Sequence, residues 1–165
     1  MTMPAGARGV VITVSDRSHA GARHDSSGPL CADLLRELGL DVGEVIVVPD
    51  DSDAIETAIS DAVASGVDAV VTTGGTGFGP RDVTPEATRR LIDREAPGIG
   101  EALRQHNREA VPTTILSRAV AGTAGSTFVV NLPGSTGGVR DGVAVLAPVL
   151  GHLVAQLRGG GHDGP

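Results

Sequence analysis

The stretch Thr72-Thr73-Gly74-Gly75-Thr76-Gly77-Phe78-Gly79-Pro80-Arg81-Asp82-Val83-Thr84-Pro85-Glu86 gathers the residue types that phosphate chemistry uses. Its four glycines let backbone amides approach a bound group without side-chain obstruction. An apolar run, Val67 to Val71, precedes it and reads as a buried strand. Thr84 as a cap and Pro85 at the first helical position open a helix after it. A helix N-terminus adds positive potential and suits an anion. Arg81 and Asp82 bring a cation and a metal-competent carboxylate to the same turn. Together these features predict a nucleotide or phosphoester site.

Two common phosphate loops are excluded by spacing. The P-loop requires Gly-x-x-x-x-Gly-Lys-Ser/Thr, and no Lys follows these glycines. The dinucleotide fingerprint requires Gly-x-Gly-x-x-Gly, but counting from Gly75 and Gly77 places Pro80 third. A plain strand-to-helix turn is the bland alternative. It does not call for Thr72, Thr73, Thr76, Arg81, Asp82 and Thr84 around the glycines.

Asp50 and Asp51 directly follow a second apolar run. Asp50 is a candidate metal ligand; either residue could instead cap the helix that follows. Asp82 likewise reads as a metal ligand or as a charge favouring a helix start. Ser135, in Leu132-Pro133-Gly134-Ser135, sits before a helix, where a cap and a phosphate contact use the same hydroxyl. Arg118 and Arg140 are candidate anion ligands, with surface ion pairing as the alternative. Cys31 lies on an apolar stripe between Leu30 and Leu34 and reads as a core residue. The five His show no zinc spacing; His19 and His24 lie in a candidate ligand loop without a feature that singles them out. No Gly-x-Ser-x-Gly elbow supports Ser-His-Asp hydrolysis.

The elements that must position these residues alternate. Strands are expected at 9–15, 42–48, 67–73 and 127–132. A helix opens at Gly28-Pro29, carries Leu30, Leu34, Leu35 and Leu38, and closes at Gly39. Asp53 and Glu56 form a capping-box pattern before the stripe Ile55, Ile59, Ala62 and Val63. Further helices are expected from Pro85 to about residue 95 and from about 99 to 107, with Pro97-Gly98 as a break. Residues 112–125 read as irregular, and a long apolar helix, bent at Pro148, follows a second glycine loop, 133–138. This pattern predicts an α/β fold: a mostly parallel central sheet in a three-layer α/β/α domain. In such sheets ligands sit beyond the carboxyl ends of the strands, which collects loops 15–27, 49–51, 73–84 and 131–138 on one edge. One domain over residues 9–157 is expected, with a frayed N-terminal 1–8 and a flexible tail over 158–165.

The 165-residue chain is 40% hydrophobic yet has no Trp, no Tyr and two Phe. Its core must be built from Val, Leu, Ile and Ala. Few aromatics and a net charge of -7 argue against a nucleic-acid partner. A metal-complexed small nucleotide is compatible with an acidic protein. One cysteine excludes an intrachain disulfide. The N-terminus lacks a signal-peptide pattern, and no apolar run is expected to reach the ~20 residues of a membrane span, so the cytoplasm is the expected location.

Thr73-Gly74-Gly75-Thr76-Gly77, Pro80-Arg81-Asp82-Val83-Thr84-Pro85-Glu86-Ala87-Thr88 and Asn131-Leu132-Pro133-Gly134-Ser135, in that order, closely resemble the MogA/MoaB molybdopterin-binding family, which has gephyrin-like relatives. The resemblance runs from Val10 to Leu157, and the Arg-Asp-Val-Thr-Pro-Glu form is most like the adenylyltransferase branch. It implies a trimeric α/β domain that transfers AMP from MgATP to molybdopterin and releases pyrophosphate. A non-catalytic molybdopterin-binding or carrier protein of the MoaB type is the alternative. The resemblance implies Asp50 and Asp82 as catalytic residues holding Mg²⁺. It places nucleotide contacts at Ser15, Asp16, Asp25, Ser27 and Gly28, and pterin or pterin-phosphate contacts at Ser117, Arg118, Pro133, Gly134 and Ser135. Thr73, Gly74, Gly75, Thr76, Gly77, Arg81 and Thr84 complete the expected substrate site. The chain lacks the additional domains of MoeA-type proteins, so molybdate insertion is expected of a separate partner. Where several family members carry Lys after Leu-Pro-Gly, this chain has Gly137-Gly138-Val139-Arg140.

Overall fold

The computed structural model describes residues 2–160. In chain order the first half contains β1 (Arg8–Val14), α1 (Asp16–His19), α2 (Ser27–Glu37), β2 (Asp41–Val42), β3 (Ile46–Val48), α3 (Ser52–Ala64) and β4 (Ala69–Thr73). The second half contains α4 (Thr84–Arg89), β5 (Arg94–Glu95), α5 (Pro97–Gln105), a 3-10 turn at Pro112–Leu116, β6 (Ala121–Ala124), β7 (Thr127–Leu132) and α6 (Thr136–Leu157).

Side-chain alternation on the central strands builds the two faces of the sheet. Val11, Val71 and Val130 stand in register and point to a core closed by α2 and α6, with Ile99 and Leu103 of α5 packed against it. Ile12, Val70 and Val129 point to the opposite core, closed by α3 and α4 through Ile55, Ile59 and Ala87. Helices on both faces of a central sheet make the α/β/α layering expected from the sequence. The strand order is β2-β1-β4-β7-β6-β5, with β3 beside β1. β1 pairs in parallel with β2, β3 and β4, and β4 in parallel with β7. The chain moves to one side of β1 for β2 and β3, then to the other for β4, so a topological switch point lies between β1 and β4.

Four expectations are corrected. The single strand at 42–48 is two short strands. Gly9 pairs with Val42 and Ile12 with Ile46, so three steps along β1 face four on its neighbour, and the extra residue forms a bulge. Residues 112–125 are not irregular throughout, because β6 pairs antiparallel with β7 and β5 with β6. The helix from Pro85 ends at Arg89, and Arg94–Glu95 turns back as an edge strand. α6, with 22 residues, is long and apolar enough to cross a membrane, contrary to the expectation that no run reaches that length. Its apolar stripe of Val139, Val143, Leu146, Leu150 and Val154 is buried in the core instead.

The packed structure also reaches beyond 9–157. Ala7 is 1% exposed, and Met3 packs against the α2/α6 core. Arg158 donates from Nε to Asp68 Oδ1 at 2.7 Å, from Nη2 to Asp68 Oδ2 at 2.9 Å, and from Nη1 to the Ala5 carbonyl at 3.0 Å. These contacts hold residues 3–8 and Arg158 that were expected to fray. The rest of the expected tail, 161–165, lies outside the described residues. Cys31, on the core-facing side of α2, is fully buried, and burial pushes its thiol up to about 12.

Candidate functional site

Beyond the carboxyl ends of β1, β4 and β7 lies a cleft of about 830 Å³. It is lined by the loop and short helix after β1, by Asp50 after β3, by Thr73 to Gly77 and Asp82 after β4, and by Gly134 to Thr136 after β7. Parallel strands end together on this edge, so loops distant in sequence converge.

The glycine loop starts from a backbone that only glycine fits. Gly74 has φ +100°, and a Cβ there would stand 2.3 Å from the Val14 carbonyl oxygen. Its amide donates to the Leu132 carbonyl at 3.0 Å, so β7 holds the loop as it leaves β4. The Thr84 hydroxyl, fully buried, donates to the Gly74 carbonyl at 2.9 Å. Thr84 therefore braces the loop and does not line the cleft. The capping position of α4 falls one residue earlier, at Val83. Among the described residues, the amides of Gly75, Thr76 and Gly77 have no protein acceptor.

Arg118 supports the loop from behind. Its Nε donates to the Gly77 carbonyl at 2.7 Å and its Nη2 to the Asp82 carbonyl at 2.8 Å. It also pairs with Glu86 and lies 5.4 Å from the Phe78 ring centroid. Ser117 and Arg118 border a smaller adjoining cavity of about 380 Å³, not the main cleft.

Four carboxylates line the main cleft: Asp16, Asp25, Asp50 and Asp82. Asp25 is anchored by donors, the Thr13 hydroxyl at 2.7 Å and the Gly28 amide at 3.0 Å. Gly28 itself is packed so tightly that a Cβ would lie 2.2 Å from Thr13 Oγ1. Asp82 Oδ2 accepts the Gly79 amide at 2.8 Å. Asp16 and Asp50 exchange backbone bonds: each carboxylate accepts the other's amide at 2.9 Å. Burial raises the Asp50 carboxyl above its ordinary value; the Asp16 amide opposes this, and the Asp16 and Asp82 charges reinforce it. The Asp16 carboxyl is held low, chiefly by Arg81.

Of the expected site residues, the cleft brings together Asp50, Asp82, Thr73 to Gly77, Gly134, Ser135, Ser15, Asp16, Asp25 and Ser27. Arg81 pairs with Asp16 at the cleft's edge; Thr84, Gly28, Pro133, Ser117 and Arg118 stand behind or beside it. Ser135 caps α6, its hydroxyl accepting the Gly138 amide at 3.0 Å. Sequence reasoning missed Arg17, Ser18, Arg23 and Thr136, which also line the cleft. Their position in loops at the ligand edge was the available signal.

No group of three or more His, Cys, Asp or Glu among the described residues could hold a metal unaided. Asp50 Oδ1 and Asp82 Oδ1 nevertheless have no hydrogen-bond donor among the described residues. A hard cation held by two carboxylates plus phosphate oxygens is the usual Mg²⁺ pattern. The donor set therefore fits Mg²⁺ accompanying a polyphosphate.

Comparison with known proteins shows the family to which the chain belongs. The family described as "Probable molybdopterin binding domain" matches residues 10–152. A molybdenum cofactor biosynthesis bifunctional protein from Synechococcus elongatus is 44% identical over 96% of this chain and 50% of its own length. The chain thus spans about half the length of the bifunctional relatives it matches. A molybdopterin adenylyltransferase from Pyrococcus furiosus is 40% identical over 90% of this chain and 89% of its own. The crystal structure of a molybdopterin biosynthesis protein from Mycobacterium abscessus superposes with a TM-score of 0.88, at 49% identity, covering 93% of this chain and 97% of that one. The glycine loop, the paired carboxylates and the Leu-Pro-Gly-Ser turn that converge on the cleft all fall within the matched residues, and the chain belongs to the MogA/MoaB molybdopterin-binding family.

Proposed function

We propose that this chain acts in molybdenum cofactor biosynthesis in the cytoplasm, transferring AMP from ATP to the terminal phosphate of molybdopterin with Mg²⁺. The products are adenylyl-molybdopterin and pyrophosphate. The observation that carries the proposal is the meeting of Asp50 and Asp82 with the open amides of the glycine loop in one cleft. The name of the Pyrococcus furiosus relative supports the same reaction.

A terminal phosphate oxygen of molybdopterin forms a bond to the α-phosphorus of ATP. The bond from that phosphorus to the bridging oxygen breaks, and its electron pair leaves with pyrophosphate. The attacking phosphate is ionised at neutral pH, so no general base is needed. This accords with a cleft whose only histidine among the described residues is the loop residue His24. The amides of Gly75, Thr76 and Gly77 stabilise charge that develops at phosphorus. The N-terminus of α6, with Ser135 and Thr136, favours the anionic pterin phosphate. Ser15, Asp16, Asp25 and Ser27 form the wall assigned to the nucleotide. Asp50 and Asp82 would hold Mg²⁺, which would supply charge neutralisation on the phosphates. A cation there would also offset the Asp16 and Asp82 charges that add to the burial raising the Asp50 carboxyl.

The test is pyrophosphate release with molybdopterin, ATP and Mg²⁺. Turnover that needs all three is expected. Molybdopterin binding without pyrophosphate release would instead make the chain a carrier of the MoaB type.

A further inference from the structure

Arg81 falls in the motif that the family resemblance assigns to substrate, yet its guanidinium is already engaged. Nε donates to Asp16 Oδ2 at 3.0 Å and Nη2 to Asp16 Oδ1 at 2.9 Å, a bidentate pair. The same Asp16 Oδ1 accepts the Asp50 amide, and the Asp16 amide donates to Asp50 Oδ2. Arg81 is bonded in sequence to Asp82, whose own carboxylate closes a turn onto the Gly79 amide. The guanidinium thus ties the loop after β4 to Asp16 in the loop after β1, and Asp16 in turn is bonded to Asp50 after β3. Those loops carry the acidic residues Asp16, Asp25, Asp50 and Asp82 of the cleft, and all four charges are of one sign. Loops that bear like charges separate unless something holds them. A guanidinium has a fixed planar fork, so it sets direction as well as distance.

We propose that Arg81 is a positioning residue, a latch that acts through Asp16 to hold the Asp50 and Asp82 carboxylates at the separation the reaction needs, rather than a ligand for substrate phosphate. The proposal rests on the adenylyl-transfer function above only for its kinetic consequence; the latch itself exists in the ligand-free chain.

Two measurements separate a latch from a phosphate ligand. The first is amide hydrogen exchange on the ligand-free protein. In Arg81→Ala the Asp16 and Asp50 amides are expected to exchange at least about tenfold faster, while the Val70 and Val71 amides keep wild-type protection. Unchanged exchange at Asp16 and Asp50 would overturn the latch, whatever the protein catalyses. The second is a double-mutant cycle on turnover with Arg81→Ala, Asp16→Asn and the pair. Asn keeps an oxygen for the Asp50 amide but loses the charge that Arg81 grips. A latch predicts that both single variants lower kcat, that Arg81→Ala leaves the KM for ATP little changed, and that the double variant is no worse than the worse single one. Additive losses, or a rise in KM for ATP confined to Arg81→Ala, would return Arg81 to direct phosphate binding. Arg81→Lys keeps the charge without the fork, and a latch predicts incomplete rescue. A wild-type protein that releases no pyrophosphate would refute the enzymatic proposal alone, and the exchange data would still decide the latch.

Discussion

At the scale of single residues, the Asp82 carboxylate has one observed contact and one proposed role, and substitution can separate them. Its Oδ2 accepts the Gly79 amide, a bond that an amide oxygen also accepts. Asp82→Asn should therefore fold normally and bind molybdopterin while losing turnover. A fall in kcat on the order of 100-fold or more matches loss of one electrostatic stabiliser. Were Asp82 only a charge near a helix start, the cost would be about 0.3–1 kcal/mol of stability with near-normal turnover. Pyrophosphate release and thermal unfolding on the same variant distinguish the two. The places of Asp50, Asp82 and Ser135 at the cleft were legible in the sequence because each lies in a loop beyond the carboxyl end of a strand. The partners of Arg81 and Arg118 were not. Asp16 lies 65 positions from Arg81, and Glu86 lies 32 from Arg118, so only the folded chain shows that both guanidiniums hold loops in place.

At the scale of elements, strands with continuous apolar runs were legible, and the antiparallel edge was not. β4 reads Ala-Val-Val-Thr-Thr and is buried throughout, so its own composition declares it. β6 reads Ala-Gly-Thr-Ala, which has little intrinsic strand preference. Its conformation comes from pairing with β7 and from Arg94 lying over Gly122, where a Cβ would meet the Arg94 carbonyl oxygen at 2.4 Å. At the start of α3 the sequence offered both the Asp53 and Glu56 capping box and a cap at Asp50 or Asp51, and Asp51 is the cap, its Oδ1 accepting the Ala54 amide at 2.9 Å. In α6, Pro148 lies on the exposed side of an uninterrupted helix. Proline there removes a donor to the preceding turn and crowds its carbonyl. Pro148→Ala should raise stability by about 1–3 kcal/mol, read as a higher thermal midpoint. A lowered midpoint would mean that the proline ring makes a packing contribution larger than its backbone cost.

At the scale of the whole molecule, the two ends of the chain are fastened at one carboxylate. Asp68, with 11% of its side chain exposed, receives Arg158 from the last helix and the Arg8 amide from the first strand. Burial pushes the Asp68 carboxyl up, but Arg158 and the Arg8 amide outweigh it and hold it below its ordinary value. A carboxyl depressed in the folded state contributes stability above its unfolded value, about 3.9, which is lost as pH falls through the folded value. Arg158→Ala should lower the thermal midpoint at pH 7. The gap between wild type and variant should narrow below about pH 4, as followed by thermal unfolding across pH. The trimer that the family resemblance implies would have candidate contact residues in Val111, Ile115 and Leu116, which expose 42%, 51% and 53% of their surface. Light scattering across a concentration series should give three times the chain mass. A monomer at micromolar concentration would refute it.

The buried thiol of Cys31 has a practical consequence. The chain holds no Trp or Tyr, so it offers almost no intrinsic fluorescence with which to follow unfolding. Its single cysteine is fully enclosed, and the thiolate that alkylating reagents attack is scarce while the thiol remains inside. Labelling must therefore wait for the packing between α2 and the sheet to open. Under excess reagent the rate of Cys31 modification should track that opening, and ligands that grip the cleft should slow it. The residue with no part in the chemistry becomes a clock for the rest of the molecule.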